Sequence, residues 1–171
     1  LSLHDALPIY TEVENSGKLL IDATCTPADI RYPTDISLLN EAREKTEQII
    51  DILHKPLIGI EKKVRTYRHQ ARKNFLSFTK KRKPGKKIIR KTIRKQLGYL
   101  GRNLNHIKNL SQKVGLKALS RKQYRDLLVV SELYRQQKAM YDTTTHSIQG
   151  RIVSIHQPHV RPIVRGKASA M

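Results

Sequence analysis

The stretch Lys18-Leu19-Leu20-Ile21-Asp22-Ala23-Thr24-Cys25-Thr26-Pro27-Ala28-Asp29-Ile30-Arg31-Tyr32-Pro33-Thr34-Asp35 decides the fold. The turn formers Asn15, Ser16 and Gly17 precede it, and Leu19, Leu20 and Ile21 make a short apolar run. Such a run, bounded by turn signals, reads as a buried central strand. Asp22 follows at once. On spacing alone it ends the strand and caps the next turn. The other reading is a carboxylate carried on rigid backbone at a core edge, the support a catalytic group needs.

Downstream, Tyr32-Pro33 forces extended or turn backbone before a helix. Asp35 or Ser37 is positioned to cap that helix, and Glu41 and Glu44 fall in its early turns, where the helix end is positive. Leu39, Ala42, Ile49, Ile50 and Leu53 give its apolar stripe, and Pro56 stops it near His54. A second helix is predicted over 59–78, on Ile60, Val64, Tyr67, Ala71, Phe75 and Phe78, with Arg65, Arg68, Arg72 and Lys73 on its polar side. Lys80-Lys81-Arg82-Lys83-Pro84-Gly85 is a turn and the densest charge run.

A third helix carries Ile89, Ile93, Leu97, Leu100, Leu104 and Ile107 on one face. Its Gly98 and Gly101 each weaken it by about 1 kcal/mol relative to alanine. Alternatively, they let another helix or a DNA backbone come close. A fourth helix is predicted from the cap Ser120 through Leu127, Val130, Tyr134, Tyr141, Thr144 and Ile148. Beyond Gly150 the pattern turns to period two, with Ile152, Val153 and Ile155, then Val160, Ile163 and Val164, broken at Gln157-Pro158. These pieces are expected to return to the Asp22 strand. The predicted class is therefore α+β: first strands within 10–36, a basic helical segment over 37–149, and returning strands over 150–171.

The 171 residues suffice for one domain with a real core. Lys and Arg number 34 against 14 Asp and Glu, a net charge of +20, which points to a polyanionic partner, nucleic acid before membrane. The charges are segregated. Eleven of the 14 acids lie at or before Glu61, while 62–125 holds 23 Lys and Arg and no acid. A single cysteine, Cys25, rules out an internal disulfide framework and fits a reducing compartment. No apolar run approaches the roughly 20 residues of a membrane span, and the first residues lack the basic-then-apolar order of a secretory signal. Residues 1–9, L-S-L-H-D-A-L-P-I, match the translation of a short-read sequencing adapter and are set aside from fold reasoning.

D-A-T, then A-D-I-R-Y-P-T-D and L-L-N-E-A-R-E-K-T, resemble the segment around the first catalytic aspartate of bacterial insertion-sequence DDE transposases of the insertion sequence five group. K-V-R-T-Y-R-H-Q-A-R-K (63–73), I-R-K-Q-L-G-Y-L-G-R-N-L (93–104) and R-I-V-S-I-H-Q-P-H-V-R-P-I-V-R-G-K-A (151–168) resemble further blocks of the same family. The resemblance implies an RNase H-like sheet interrupted by the helical segment. It also implies a DNA-cleaving and strand-transferring enzyme that uses Mg²⁺ or Mn²⁺ held by two aspartates and a glutamate. In such sites paired metal ions activate the attacking oxygen and stabilise the leaving one, and Mg²⁺ needs few protein ligands.

Only Asp22 matches that catalytic set, so the chain is expected to be a central fragment, inactive alone. Double-stranded DNA is the implied partner, with a homodimer in the intact enzyme and a bacterial cytoplasmic, nucleoid-associated location. The alternative function is a non-enzymatic basic helical protein that binds nucleic acid.

Other residues are weighed in the same way. Asp29 and Asp35 read as turn and cap residues, and Asp126, Glu132 and Asp142 as solvated helix surface. Lys80, Lys81, Arg82 and Lys83, with Arg65, Arg68 and Arg72, are candidate phosphate contacts or a solvated face. The absence of acid around them favours DNA. Arg161, Arg165 and Lys167 are candidate clamps on the scissile strand. His156 and His159 lack cysteine partners and are separated by a proline, which suits a surface bend better than a zinc site. Cys25 has no identifiable base and reads as a small buried side chain.

Overall fold

Thr34 starts the first helix, α1 (Asp35–His54). Its hydroxyl accepts from the Ser37 N–H at 3.2 Å, and the Ser37 hydroxyl accepts in return from the Thr34 N–H at 3.2 Å. That reciprocal box satisfies two donors the helix end would leave bare. Thr34 is thus the cap, Ser37 its partner, and Asp35 the first-turn acid. Pro56 ends the helix as expected, through a single 3₁₀ turn at Lys55–Leu57. The computed structural model describes residues 34–160 of the chain, and these form four α-helices.

The second helix, α2 (Arg68–Thr79), is shorter than the apolar spacing predicts. Gly59 takes φ +88°, Ile60 points outward at 77% exposure, and Tyr67 adopts φ +57°, so residues 58–67 run as an irregular connection. The two longest helices follow. The third, α3 (Lys86–Val114), ends at Gly115 with φ +76°, and the fourth, α4 (Arg121–Thr143), opens on a Ser120–Gln123 capping box. It stops at Thr144 in the left-handed region, short of the predicted Ile148.

The core consists of two clusters that fix the helix directions. Leu38, Leu39 and Ala42 of α1 pack with Leu97 and Leu100 of α3 and Val130 and Leu133 of α4. Ile49, Ile50 and Leu53 pack with Ile107 and Leu110 of α3 and Leu127 of α4. Hence α1 and α3 run parallel, and α4 runs against both. The α2 segment carries the chain back along the outside: its start meets Asp51 on α1, and Asn74 meets Tyr99 on α3. Between the clusters, the buried Asn103 amide donates to the Thr46 hydroxyl at 3.1 Å. At Gly101 a Cβ would sit 2.7 Å from the Tyr134 hydroxyl, so this glycine admits a tyrosine of α4.

The α+β expectation is overturned among the described residues: they are all-helical, and no strand forms. The correction is clearest after Gly150. Ile152 and Ile155 are both buried in the first core cluster, three residues apart, whereas a strand would alternate. The backbone there pairs with side chains instead of a neighbouring strand. The Gln136 amide accepts from the Ile152 N–H at 2.9 Å and donates to the Gly150 carbonyl at 3.3 Å. Arg151 pairs with Asp35, and Arg125 donates to the His156 carbonyl at 3.1 Å. An apolar segment with both needs met by α1 and α4 has no call for a sheet. The predicted first strand with Asp22, and the second returning piece from Arg161 onward, lie outside the described residues.

Candidate nucleic-acid interface

The electrostatics of 34–160 follow from which cations find carboxylates. These residues contain 29 Lys and Arg against 9 Asp and Glu, so the whole surplus of 20 sits here. Each of the nine acids meets a basic side chain. Arg43 takes Glu44 and Glu47, Lys45 and Arg125 take Asp126, Lys63 and Arg68 take Asp51, and Lys113 takes Glu61. Arg135 takes Glu132, Lys138 takes Asp142, Arg151 takes Asp35 and His156 takes Glu41. Asp126 is therefore not the solvated surface acid of the sequence reading. It is buried at 5% exposure, and Lys45 reaches it at 2.8 Å.

The cations left over are concentrated on the turn at 80–83 and on α3. Residues 80–95 contain ten Lys and Arg, and none of them meets a carboxylate among the described residues. At 100° per residue, Lys87, Lys91, Arg94, Lys95, Gly98 and Arg102 fall on one stripe, opposite Leu97, Leu100, Ile107 and Leu110. All six are exposed. From Lys87 to Arg102 the stripe is about 22 Å long at 1.5 Å per residue. Gly98 lies on it between Lys95 and Arg102, with nothing within 4 Å of where a Cβ would project. The two glycines of α3 thus serve opposite faces: Gly101 admits Tyr134, and Gly98 leaves a low point among the cations.

This stripe is unfavourable for the helix that carries it. Cations at i and i+4, such as Lys87, Lys91 and Lys95, repel by about 0.2–0.5 kcal/mol per pair. Lys86 and Lys87 also occupy the first turn, which holds no acid although the N-terminal helix dipole disfavours positive charge there. Arg90 is stabilised differently, lying 4.4 Å over the Tyr141 ring and donating to Thr144 at 3.3 Å.

The candidate residues named from sequence separate into four groups. Lys80, Lys81, Arg82 and Lys83 form the exposed turn between α2 and α3, continuous with the stripe, and Arg72 is exposed on α2. Arg68 is used internally. Its two guanidinium nitrogens reach the Asp51 carboxylate at 2.7 and 3.1 Å, tying α2 to α1. Burial pulls the Asp51 carboxyl upward, but the hydrogen bonds from Arg68 and Lys63 outweigh it and hold the group below its usual range. Arg65 lies on the irregular connection against the Tyr67 ring. Asp22, Arg161, Arg165 and Lys167 lie outside the described residues. The stripe itself was missed in the sequence, although its cations repeat at the same three-and-four spacing as the apolar face.

No group of three or more His, Cys, Asp or Glu among the described residues is placed to hold a metal ion, so the donor set for Mg²⁺ or Mn²⁺ is not assembled within them. A cavity of about 290 Å³ opens between the starts of α1 and α3 and the end of α4. Its carboxylate, Asp35, is already engaged by Gln137 at 2.8 Å and by Arg151. No helix among the described residues is long and apolar enough to cross a membrane. No protein-family model matches the chain, and neither does any curated protein or solved structure.

Proposed function

We propose that residues 34–160 are a nucleic-acid-binding helical module and that the basic stripe of α3, extended by Lys80, Lys81, Arg82 and Lys83, is its duplex-facing surface. One observation carries this: a row of cations with no internal counterions, placed so that they repel one another on a helix whose other face is core. Phosphates relieve that repulsion and release condensed counterions, which is the main source of sequence-independent affinity. Gly98 lets a sugar–phosphate backbone approach the helix axis between Lys91, Lys95 and Arg102. Contacts of this kind position a duplex without reading its bases.

The wider proposal is that the chain is part of an insertion-sequence DDE transposase, supported by the sequence blocks around Asp22, 63–73, 93–104 and 151–168. Mg²⁺ or Mn²⁺ at Asp22, dimer formation and association with the nucleoid belong to that proposal. A non-enzymatic binding protein would use the same stripe, and the all-helical described residues with their engaged carboxylates favour keeping that second reading.

Fluorescence anisotropy of a labelled DNA duplex tests the binding surface. Replacing Lys87, Lys91, Arg94 and Lys95 together with glutamine should weaken binding strongly while the helical circular dichroism stays unchanged. Unaltered affinity would refute the assignment.

A further inference from the structure

A second cluster of cations lies beside the stripe and is built on rings. The Arg65 guanidinium sits 4.6 Å from the Tyr67 ring centroid, and Arg102 sits 4.6 Å from the same ring and 5.8 Å from that of Tyr99. Asn74 fixes Tyr99 from behind by donating to its hydroxyl at 2.9 Å. Neither guanidinium meets a carboxylate among the described residues, because Asp51 is taken by Lys63 and Arg68, and Glu61 by Lys113. Tyr67 is 40% exposed and held in the left-handed region at φ +57°, which a bulky side chain adopts only under constraint.

Two like charges gathered on one exposed ring leave an anion-sized deficit flanked by flat surfaces. A nucleotide has both complements, a phosphate and a π-face. Bases stack on tyrosine rings and on guanidinium planes, but in a duplex those faces are covered by neighbouring pairs. We propose that Arg65, Tyr67, Tyr99 and Arg102 form a site for an unpaired nucleotide, with the base against the tyrosine–arginine layer and the phosphate held by the two guanidiniums. The site rests on the nucleic-acid assignment above but uses different side chains, apart from Arg102 at the end of the stripe. The stripe would hold duplex while this cluster takes an adjoining unpaired nucleotide.

The test uses the 171-residue chain, a single-stranded oligonucleotide containing 2-aminopurine, and the same strand annealed to its complement. Tyr67→Leu should weaken single-strand binding by about tenfold, the scale of one lost stacking contact, and abolish the quenching of 2-aminopurine emission. Duplex affinity should not change. Tyr67→Phe, which keeps the ring, should behave as the parent chain. Arg65→Gln, on a connection outside the helices, should lower single-strand affinity without altering the thermal midpoint. Equal losses for both DNAs in Tyr67→Leu, no loss for either, or a Tyr67→Phe variant as weak as Tyr67→Leu would overturn the proposal. Failure of the α3 glutamine variant to weaken duplex binding would refute the stripe instead, with the Tyr67 result read independently.

Discussion

The cations of α1 and those on the outer face of α3 are the same residue types put to opposite use. On α1, Arg43 is 1% exposed and reaches Glu47 at 2.5 Å, Asn40 at 2.8 Å and Glu44 at 3.1 Å, and Lys45 spans to Asp126 on α4 at 2.8 Å. On α3, Lys87, Lys91, Arg94, Lys95 and Arg102 meet no carboxylate among the described residues. The difference shows where the surplus of charge resides. The interior is balanced pair by pair, and the imbalance lies outward, densest on the outer face of α3 and the turn before it. Stability and binding are therefore separable by mutation.

The largest effect that sharpens this contrast is on the α1 side. Arg43→Ala would strand Glu47 in the interior, and removing one partner of a buried pair destabilises by about 3–5 kcal/mol. Urea unfolding followed by circular dichroism measures this; a loss well under that range would mean Glu47 reaches water. By contrast, Lys91→Gln with Lys95→Gln should leave stability within about 0.5 kcal/mol, as exposed substitutions usually do. A clear destabilisation there would break the contrast.

The two glycines divide more finely. Gly98→Ala should stabilise α3 by about 1 kcal/mol, since alanine is the better helix former and nothing stands near its Cβ. If a DNA backbone approaches there, the same variant should weaken duplex binding. Gly101→Ala should forfeit that stability gain, because the added methyl meets the Tyr134 hydroxyl at 2.7 Å. Equal thermal midpoints for the two variants would contradict the packing described.

The smallest effect is the pH response of the exposed-edge pair between α1 and α2. The Asp51 carboxyl is lowered in the folded chain, against the pull of burial, by Arg68 and Lys63. Its contribution is thus present above the ordinary carboxylate value of about 3.9 and is lost as pH falls through the lower folded value. Asp51→Asn should reduce stability slightly at neutral pH and remove that component of the acid-induced loss. An acid limb identical in the variant would show the pair to be idle.

Much of the helical scaffold was legible because local punctuation and periodicity agreed. Pro56 ends α1, Gly85 precedes α3, and Ser120 caps α4, each beside an apolar face that is in fact buried. The errors arose where a side chain replaced a backbone partner, or tertiary contacts prevailed over pattern. Ile152, Val153 and Ile155 look strand-like, but the Gln136 amide supplies the pairing a sheet would have supplied. Ile60 and Val64 continue the α2 face in sequence, yet Gly59 and Tyr67 at positive φ take the connection out of helix. Asp126 looked like surface because its partner, Lys45, is 81 residues away. The basic stripe was hidden behind its own helix: the apolar face of α3 dominates the pattern, and the turn at Lys80–Lys83, dense in one dimension, outweighs cations that converge only after winding.

The central claim is that the exposed face of α3 contacts phosphates, and the salt dependence of duplex binding tests it most directly. If about five phosphates are neutralised, log K should fall against log salt with a slope near −4 to −5 for the unaltered chain. The slope should become shallower by about one for each stripe cation replaced by glutamine. A flat salt response, or a slope that survives replacement of Lys87, Lys91, Arg94 and Lys95 together, would contradict it.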